Sequence, residues 1–274
     1  MAITYRYLIL ILAMWSGAAA YAAEPASAAK QAVEVEFSVF GTRAFQGLAY
    51  LSATSPKPTA LKFYSVHLSA AYAYKGDPVI KFYNEAELTA ALQAIEAEKA
   101  ANPKAPAPPL KLKPVAVCTL PAGMKKAVFL FFPRAQATGE SAGLCEIYPM
   151  DMDLTKVPAG HLVVINASGR DFFAQVNSTT TTLSKGVSQP FGAERGKISV
   201  KIARLEPEFQ NVVSSDRWNL TKSQRRLWVL FPMTNTTDVF PDARCLVDTV
   251  LVAGKAEGYE TAMASAAADY ADNP

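Results

Sequence analysis

Apolar side chains in this chain recur with a period of two, and that pattern restricts the fold more than any other feature. Over residues 33–39, Val33, Val35, Phe37 and Val39 alternate with Glu34, Glu36 and Ser38. An extended strand with that pattern has one buried and one wet face. Ile198, Val200 and Ile202 alternate with Ser199, Lys201 and Ala203 in the same way. The runs 127–132, 162–165 and 227–231 are instead continuously apolar, as in strands covered on both sides. Turn-forming segments such as Lys75-Gly76-Asp77-Pro78 and Pro121-Ala122-Gly123 separate the runs. Short strands punctuated in this way predict an all-β sandwich or barrel.

A recurrence at 100 residues organises these strands. Leu120…Lys125-Lys126-x-x-x-Leu130-Phe131, closed by Pro133, matches Leu220…Arg225-Arg226-x-x-x-Leu230-Phe231, closed by Pro232. Cys145 lines up with Cys245, and Leu61-Lys62-Phe63-Tyr64-Ser65, at a shift of 101, with Leu162-Val163-Val164-Ile165-Asn166. The constant order predicts an internal duplication into two tandem immunoglobulin-like β-sandwich domains, each near the ~100 residues such a sandwich takes. The boundary falls near Val157-Pro158-Ala159-Gly160, giving domains at 33–157 and 158–252. The first carries an insertion at 85–114. Its opening, EAELTAALQAIEAEKAA, is rich in helix formers, with Leu88, Leu92 and Ile95 on one stripe, and predicts one short helix. That helix is suited to cover a sheet edge or an opening of the sandwich. The Pro/Lys-rich stretch behind it reads as extended and exposed, and residues 253–274 as a flexible tail.

Residues 1–22 read as a signal peptide. Arg6 precedes an apolar run at 8–15, and Ala20-Tyr21-Ala22 has the small-x-small form of a cleavage site. The run falls short of the about 20 residues that cross a bilayer. No later stretch is long and apolar enough to be a membrane helix, so the mature chain is expected to be exported, to the periplasm or the cell surface. With 27 basic against 24 acidic residues, a net charge of +3 is too weak to argue for nucleic acid. Export makes disulfides permissible. Cys118, Cys145 and Cys245 each sit in an apolar strand-like run, which favours buried thiols; a Cys118–Cys145 bridge is the alternative.

Candidate chemistry is sparse. Gly139-Glu140-Ser141-Ala142-Gly143 has the G-x-S-x-G pattern, but that motif acts only between a strand and a helix, and here a strand-like run follows it. His67 and His161 are the only imidazoles, without the spacing of a metal site. No cofactor motif is present. Asp151 with Asp153, and Glu206 with Glu208, stand on one side of extended segments and read as solvated loop residues. Tyr64, Tyr72, Tyr74 and Tyr83 gather with Phe63 and Phe82 in the first domain. Tyrosines on a sheet face can stack on sugars or pack against a partner protein, and these four are the candidate binding residues. Sequons at Asn166, Asn177, Asn219 and Asn235 carry no functional claim.

LPAGMKKAVFLFFP, GHLVVINASGRDFFAQV and the hydroxyl-rich strand after it resemble the tandem β-sandwich exported proteins of unknown function of Gram-negative bacteria. At greater distance, GHLVVINASG is similar to a strand of periplasmic accessory proteins for exopolysaccharide O-acetylation, which are non-catalytic adaptors. Two sandwiches behind a signal peptide also resemble pilus chaperones, but the Arg–Lys cleft pattern of that family is not found. The expectation is a non-catalytic, cofactor-free binding or structural module of the cell envelope that engages a partner protein or a polysaccharide. A secreted serine hydrolase using Ser141 and a periplasmic chaperone-like protein are the alternatives.

Overall fold

In the computed structural model, which describes residues 32–106, 108–133, 145–204, 212–233 and 240–250, β1 (Val33–Phe40) buries Val35, Phe37 and Val39 and exposes Glu34 and Glu36. The strands β2 (Leu48–Ser52), β3 (Ser55–Ala60), β4 (Tyr72–Gly76) and β5 (Val79–Asn84) follow. After helix α1 (Glu85–Ala101) come β6 (Ala116–Thr119), β7 (Lys126–Pro133) and β8 (Cys145–Asp151). The second half runs β9 (His161–Asn166), β10 (Phe172–Val176), β11 (Thr179–Leu183), β12 (Gly186–Val187) and β13 (Phe191–Gly192). It ends with β14 (Lys197–Arg204), β15 (Val212–Asn219), β16 (Gln224–Leu230) and β17 (Ala243–Thr249). The chain is thus all-β and sandwich-like, and α1 is the one α-helix among the described residues.

Sheet I has the order β3-β2-β5-β6 and sheet II the order β4-β1-β7-β8. Sheet III runs β12-β9-β16-β17, with β13 also on β9, and sheet IV runs β11-β10-β14-β15. Strand for strand, III repeats II and IV repeats I. The central pair of II, β1 with β7, is parallel, as is β9 with β16 in III. A small hydrogen-bonded device recurs with them. The Val39 N–H donates to Ser69 Oγ at 2.8 Å and the Ser69 N–H to the Val39 carbonyl at 3.0 Å. In the second half Val164 and Ser188 make the same two bonds, at 3.0 and 2.9 Å.

These equivalences correct the spacing read from the sequence. Val39 pairs with Phe129 and Val164 with Trp228, so Phe129 corresponds to Trp228 and the separation is 228 − 129 = 99, not 100. A slip of one residue turns a strand's side chains to the opposite face. Leu130 accordingly packs between the two halves, whereas Leu230 lies inside the second sandwich. Cys145 pairs with Pro133 and Cys245 with Trp228, so the two cysteines are not counterparts. The counterpart of β9 is β1, not the segment 61–65.

The sheets stack in the order I, II, III, IV. Phe37, Tyr50, Phe82 and Phe129 fill the space between I and II, where the Phe37 and Phe129 rings stack at 4.4 Å. Phe40, Val128, Leu130, Val163, Ile165, Leu227 and Val229 fill the space between II and III. Val164, Phe172, Ile198, Val200 and Trp228 lie between III and IV. Sheets II and III are therefore interior layers, which is why β7, β9 and β16 are apolar on both faces. The two sandwiches belong to one compact unit, Gln31–Pro274. Arg225, 1% exposed, ties the connection between them. Its Nη1 donates to the carbonyls of Met152 and Val157 at 2.8 and 2.9 Å, and its Nε to Asp248 at 2.6 Å.

Helix α1 covers the outer face of sheet I rather than an edge or opening. Asn84 Oδ1 caps it, accepting from the N–H groups of Ala86 and Glu87 at 3.0 and 3.2 Å. Leu88 packs on Ala49 and Tyr83, and Leu92 against the same cluster. Residues 102–106 of the Pro/Lys stretch are exposed throughout, but Leu110 and Leu112 join the cluster half-buried, so over 108–114 only alternate residues, such as Lys111 and Lys113, face water. No helix among the described residues is long and apolar enough to cross a membrane. The leader at 1–22, the tail at 253–274, Ser141, Glu206, Glu208 and Asn235 lie outside the described residues.

Candidate ligand-binding face

The four tyrosines do not share an exposed face. Tyr74 is buried between sheets I and II, its hydroxyl donating to the Asp77 carbonyl at 2.7 Å. Tyr72 points to the same side, half-buried, and its hydroxyl accepts from the Lys62 N–H at 2.8 Å. Tyr83 projects from the other side of sheet I and is buried under α1. Burial pushes the phenols of Tyr74 and Tyr83 above their ordinary value. Tyr64 alone is exposed, stacked on His67 at 4.2 Å. The alternation that makes Tyr72 and Tyr74 neighbours also directs both inward, because the opposite residues of β4 take the solvent side.

The remaining sequence candidates have structural partners. Cys118 in β6 and Cys145 in β8 lie on opposite sheets, both turned into the core between them, and no disulfide joins them. Burial raises the Cys118 thiol to about 12; in an apolar core the group serves as a small hydrophobe. Asp151 and Asp153 shape the connection between sandwiches. Asp151 accepts from the Asp153 N–H at 3.0 Å and pairs with Lys156, while Asp153 accepts from the Thr155 N–H and hydroxyl at 2.8 and 2.6 Å. Those Thr155 bonds, the hydroxyl first, hold the Asp153 carboxyl below its ordinary value. One His67 ring nitrogen contacts the Leu68 carbonyl and one of His161 the Ala159 carbonyl. Among the described residues no three His, Cys, Asp or Glu side chains gather as a metal site would need. Asn166 is buried, donating to the carbonyls of Arg170 and Leu183, so its sequon is not on the surface.

Sheet IV carries what the sequence reading missed. Its inward residues, Phe172, Ala174, Val176, Ile198, Val200 and Ile202, are buried, and the alternate residues face out. The register sets Phe173 beside Thr182 and Ala203, and Gln175 beside Thr180 and Lys201. It also sets Lys201 beside Ser215, Ser199 beside Arg217, and Lys197 beside Asn219. Phe173 is 38% exposed and Val212 56%. A hollow of about 230 Å³ lies among Phe173, Thr180, Lys201 and Val212. A polar one of about 380 Å³ lies among Gln175, Asn177, Ser199, Lys201 and Arg217. Gln175 and Lys201 line both.

The polar hollow has a fixed wall. Asn177, in the left-handed region at φ 52°, accepts from the Ser199 N–H at 2.9 Å and donates to the Gly192 carbonyl at 3.1 Å. Lys197, Lys201 and Arg217 supply positive charge, and the outward positions of β10, β11, β14 and β15 hold no carboxylate. Asp216 reaches the wall from the inward side of β15, where it accepts the Ser214 hydroxyl at 3.0 Å. The equivalent outer face of sheet I is apolar and lies under α1. The outward phase of Phe173 and Gln175 is legible, since they are the out-of-phase members of a strand whose other residues are apolar, but the side chains that flank them across β11 and β14 are not.

A third hollow, about 320 Å³, opens at the ends of sheets II and III among Phe40, Ser65, Pro133, Phe231 and Arg244, one residue along the chain from Tyr64. It adjoins two segments outside the described residues, 134–144 and 234–239.

No family model and no curated protein sequence matches this chain.

Proposed function

We propose that this chain is a non-catalytic binding module of the cell envelope, exported behind a signal peptide, in which two packed sandwiches present a face to a partner protein or a polysaccharide. One observation carries the reading. No described residue covers the outer face of sheet IV, which is polar and hollowed around an exposed Phe173, while its counterpart on sheet I is apolar and covered. Strand-borne side chains on a rigid sheet are well placed for recognition. The stack behind them is tied by Arg225, so the face is presented as one unit.

Capture of the tagged full chain from its own envelope, beside a Phe173→Ala/Lys201→Glu variant, tests the reading. The expected result is a partner or glycan recovered with the parent chain and lost with the variant. Equal recovery by both would remove sheet IV from the account. Amino-terminal sequencing of the recovered protein is expected to start at Ala23; an intact Met1 would overturn the export step.

A further inference from the structure

We infer that the outer face of sheet IV takes an acidic polysaccharide, a deepening that rests on the binding-module reading above. Three cations, Lys197, Lys201 and Arg217, stand at outward positions of β14 and β15, and no outward position of the sheet's four strands holds a carboxylate; Asp216, reaching the polar hollow from the inward side of β15, is the one carboxylate set against the three among the described lining residues. The face therefore complements an anionic chain. Between the cations lie short hydroxyls and amides, Thr180, Gln175, Ser199 and Ser215, fixed at strand spacing. These donate to and accept from sugar hydroxyls and ring oxygens as well as carboxylates. Phe173 stands at one end of the row, its ring available to pack on the apolar face of a pyranose.

The composition favours a glycan over a protein. Interface cores between proteins are enriched in large aromatics and Arg and depleted in Lys and Ser. This face is rich in Lys, Ser and Thr and has one aromatic. Its two hollows, about 230 and 380 Å³, meet at Gln175 and Lys201. Successive residues of a linear chain would lie along that line, with acid groups toward Lys201 and Arg217 and a sugar ring over Phe173.

The test is affinity electrophoresis of the full chain through gels containing polygalacturonate, neutral dextran or poly-glutamate. Retardation by polygalacturonate alone is expected, weakening as salt rises. The variant Lys201→Gln/Arg217→Gln is expected to lose at least 10-fold in affinity, and Phe173→Ala several-fold, at unchanged thermal midpoint. Both changes are at outward strand positions, and the midpoint guards against misfolding. Equal retardation by dextran would show that charge is not read, and retardation by poly-glutamate as strong as by polygalacturonate would point to an acidic protein; either overturns the inference. So would absence of retardation in every gel. Envelope capture that depends on Phe173 while polygalacturonate fails would leave the binding-module reading standing and remove only the glycan.

Discussion

Ser69 closes a two-bond ring on Val39, its hydroxyl accepting the valine N–H and its own N–H reaching the valine carbonyl. Ser188 does the same to Val164 in the second sandwich. Val39 is fully buried and Ser69 nearly so. Ser69→Ala leaves the Val39 N–H without its oxygen and is expected to cost about 1–3 kcal/mol, the penalty of an unsatisfied buried donor. Ser188 is more exposed, so water can replace its hydroxyl and Ser188→Ala should cost less. Urea unfolding of the two variants checks the order; an equal, negligible loss would mean the ring adds nothing.

Arg225 is expected to be among the most sensitive side chains in the molecule. It makes two bonds to the connection between sandwiches and one to Asp248 from a site 1% exposed. Arg225→Ala leaves two buried carbonyls without their donor and the half-buried Asp248 carboxylate without its partner, a loss of about 2–4 kcal/mol. Lysine has one point of charge where this site uses a fork, so Arg225→Lys should recover little. Chemical denaturation of both variants tests this, and a near-neutral Arg225→Lys would contradict it.

Alkali should weaken the fold through its first core. The Cys118 thiol, ordinarily 9.0, is pushed up to about 12 by burial, and the Tyr50 phenol from 10.0 to about 12. The unfolded chain loses these protons first. Their contribution is whole below pH 9 and drains away between pH 9 and about 12. At ~1.4 kcal/mol for each tenfold, the thiol alone removes roughly 3 kcal/mol by pH 11. Cys118→Ala should flatten the alkaline limb of stability against pH; an unchanged slope would show that the thiol does not set it.

Separated sandwiches should not be well-behaved proteins. Residues 33–157 alone would show Val128, Leu130, Phe132 and Met150 to water, and residues 158–252 alone Val163, Ile165, Leu227 and Val229. Contiguous apolar faces of that kind drive association. Each half is expected to aggregate and to bind a hydrophobic dye far more strongly than the whole chain does. Two soluble, dye-silent monomers would refute the packing of sheet II on sheet III.

Much of this was readable from the sequence. Alternation located β1 and β14, helix formers located α1 over Glu85–Ala101, and the doubly apolar runs are the interior strands. The recurrence at 100 pointed to the equivalent places of β7 and β16 in their sheets but missed the phase. Leu130 and Leu230 are both fully buried, so hydrophobicity matches them equally well whichever core they enter. A better marker was Leu68-Ser69-x-x-Tyr72 beside Val187-Ser188-x-x-Phe191, whose serines make the equivalent bonds. The tyrosine cluster failed for a related reason. Composition cannot tell which face of a sheet is covered, and Tyr83 was hidden by a helix whose docking depends on Leu88, Leu110 and Leu112. Phe173 escaped notice because one aromatic among threonines looks unexceptional until its neighbours across β11 and β14 are known.

The placement of α1 makes the two outer faces of the sheet stack unlike. That of sheet I is covered by the helix, whereas no described residue lies over that of sheet IV. Two copies that met through sheet IV would form an isologous contact that closes on itself, and on the sheet I side the seventeen-residue helix takes the place where another sheet would have to lie.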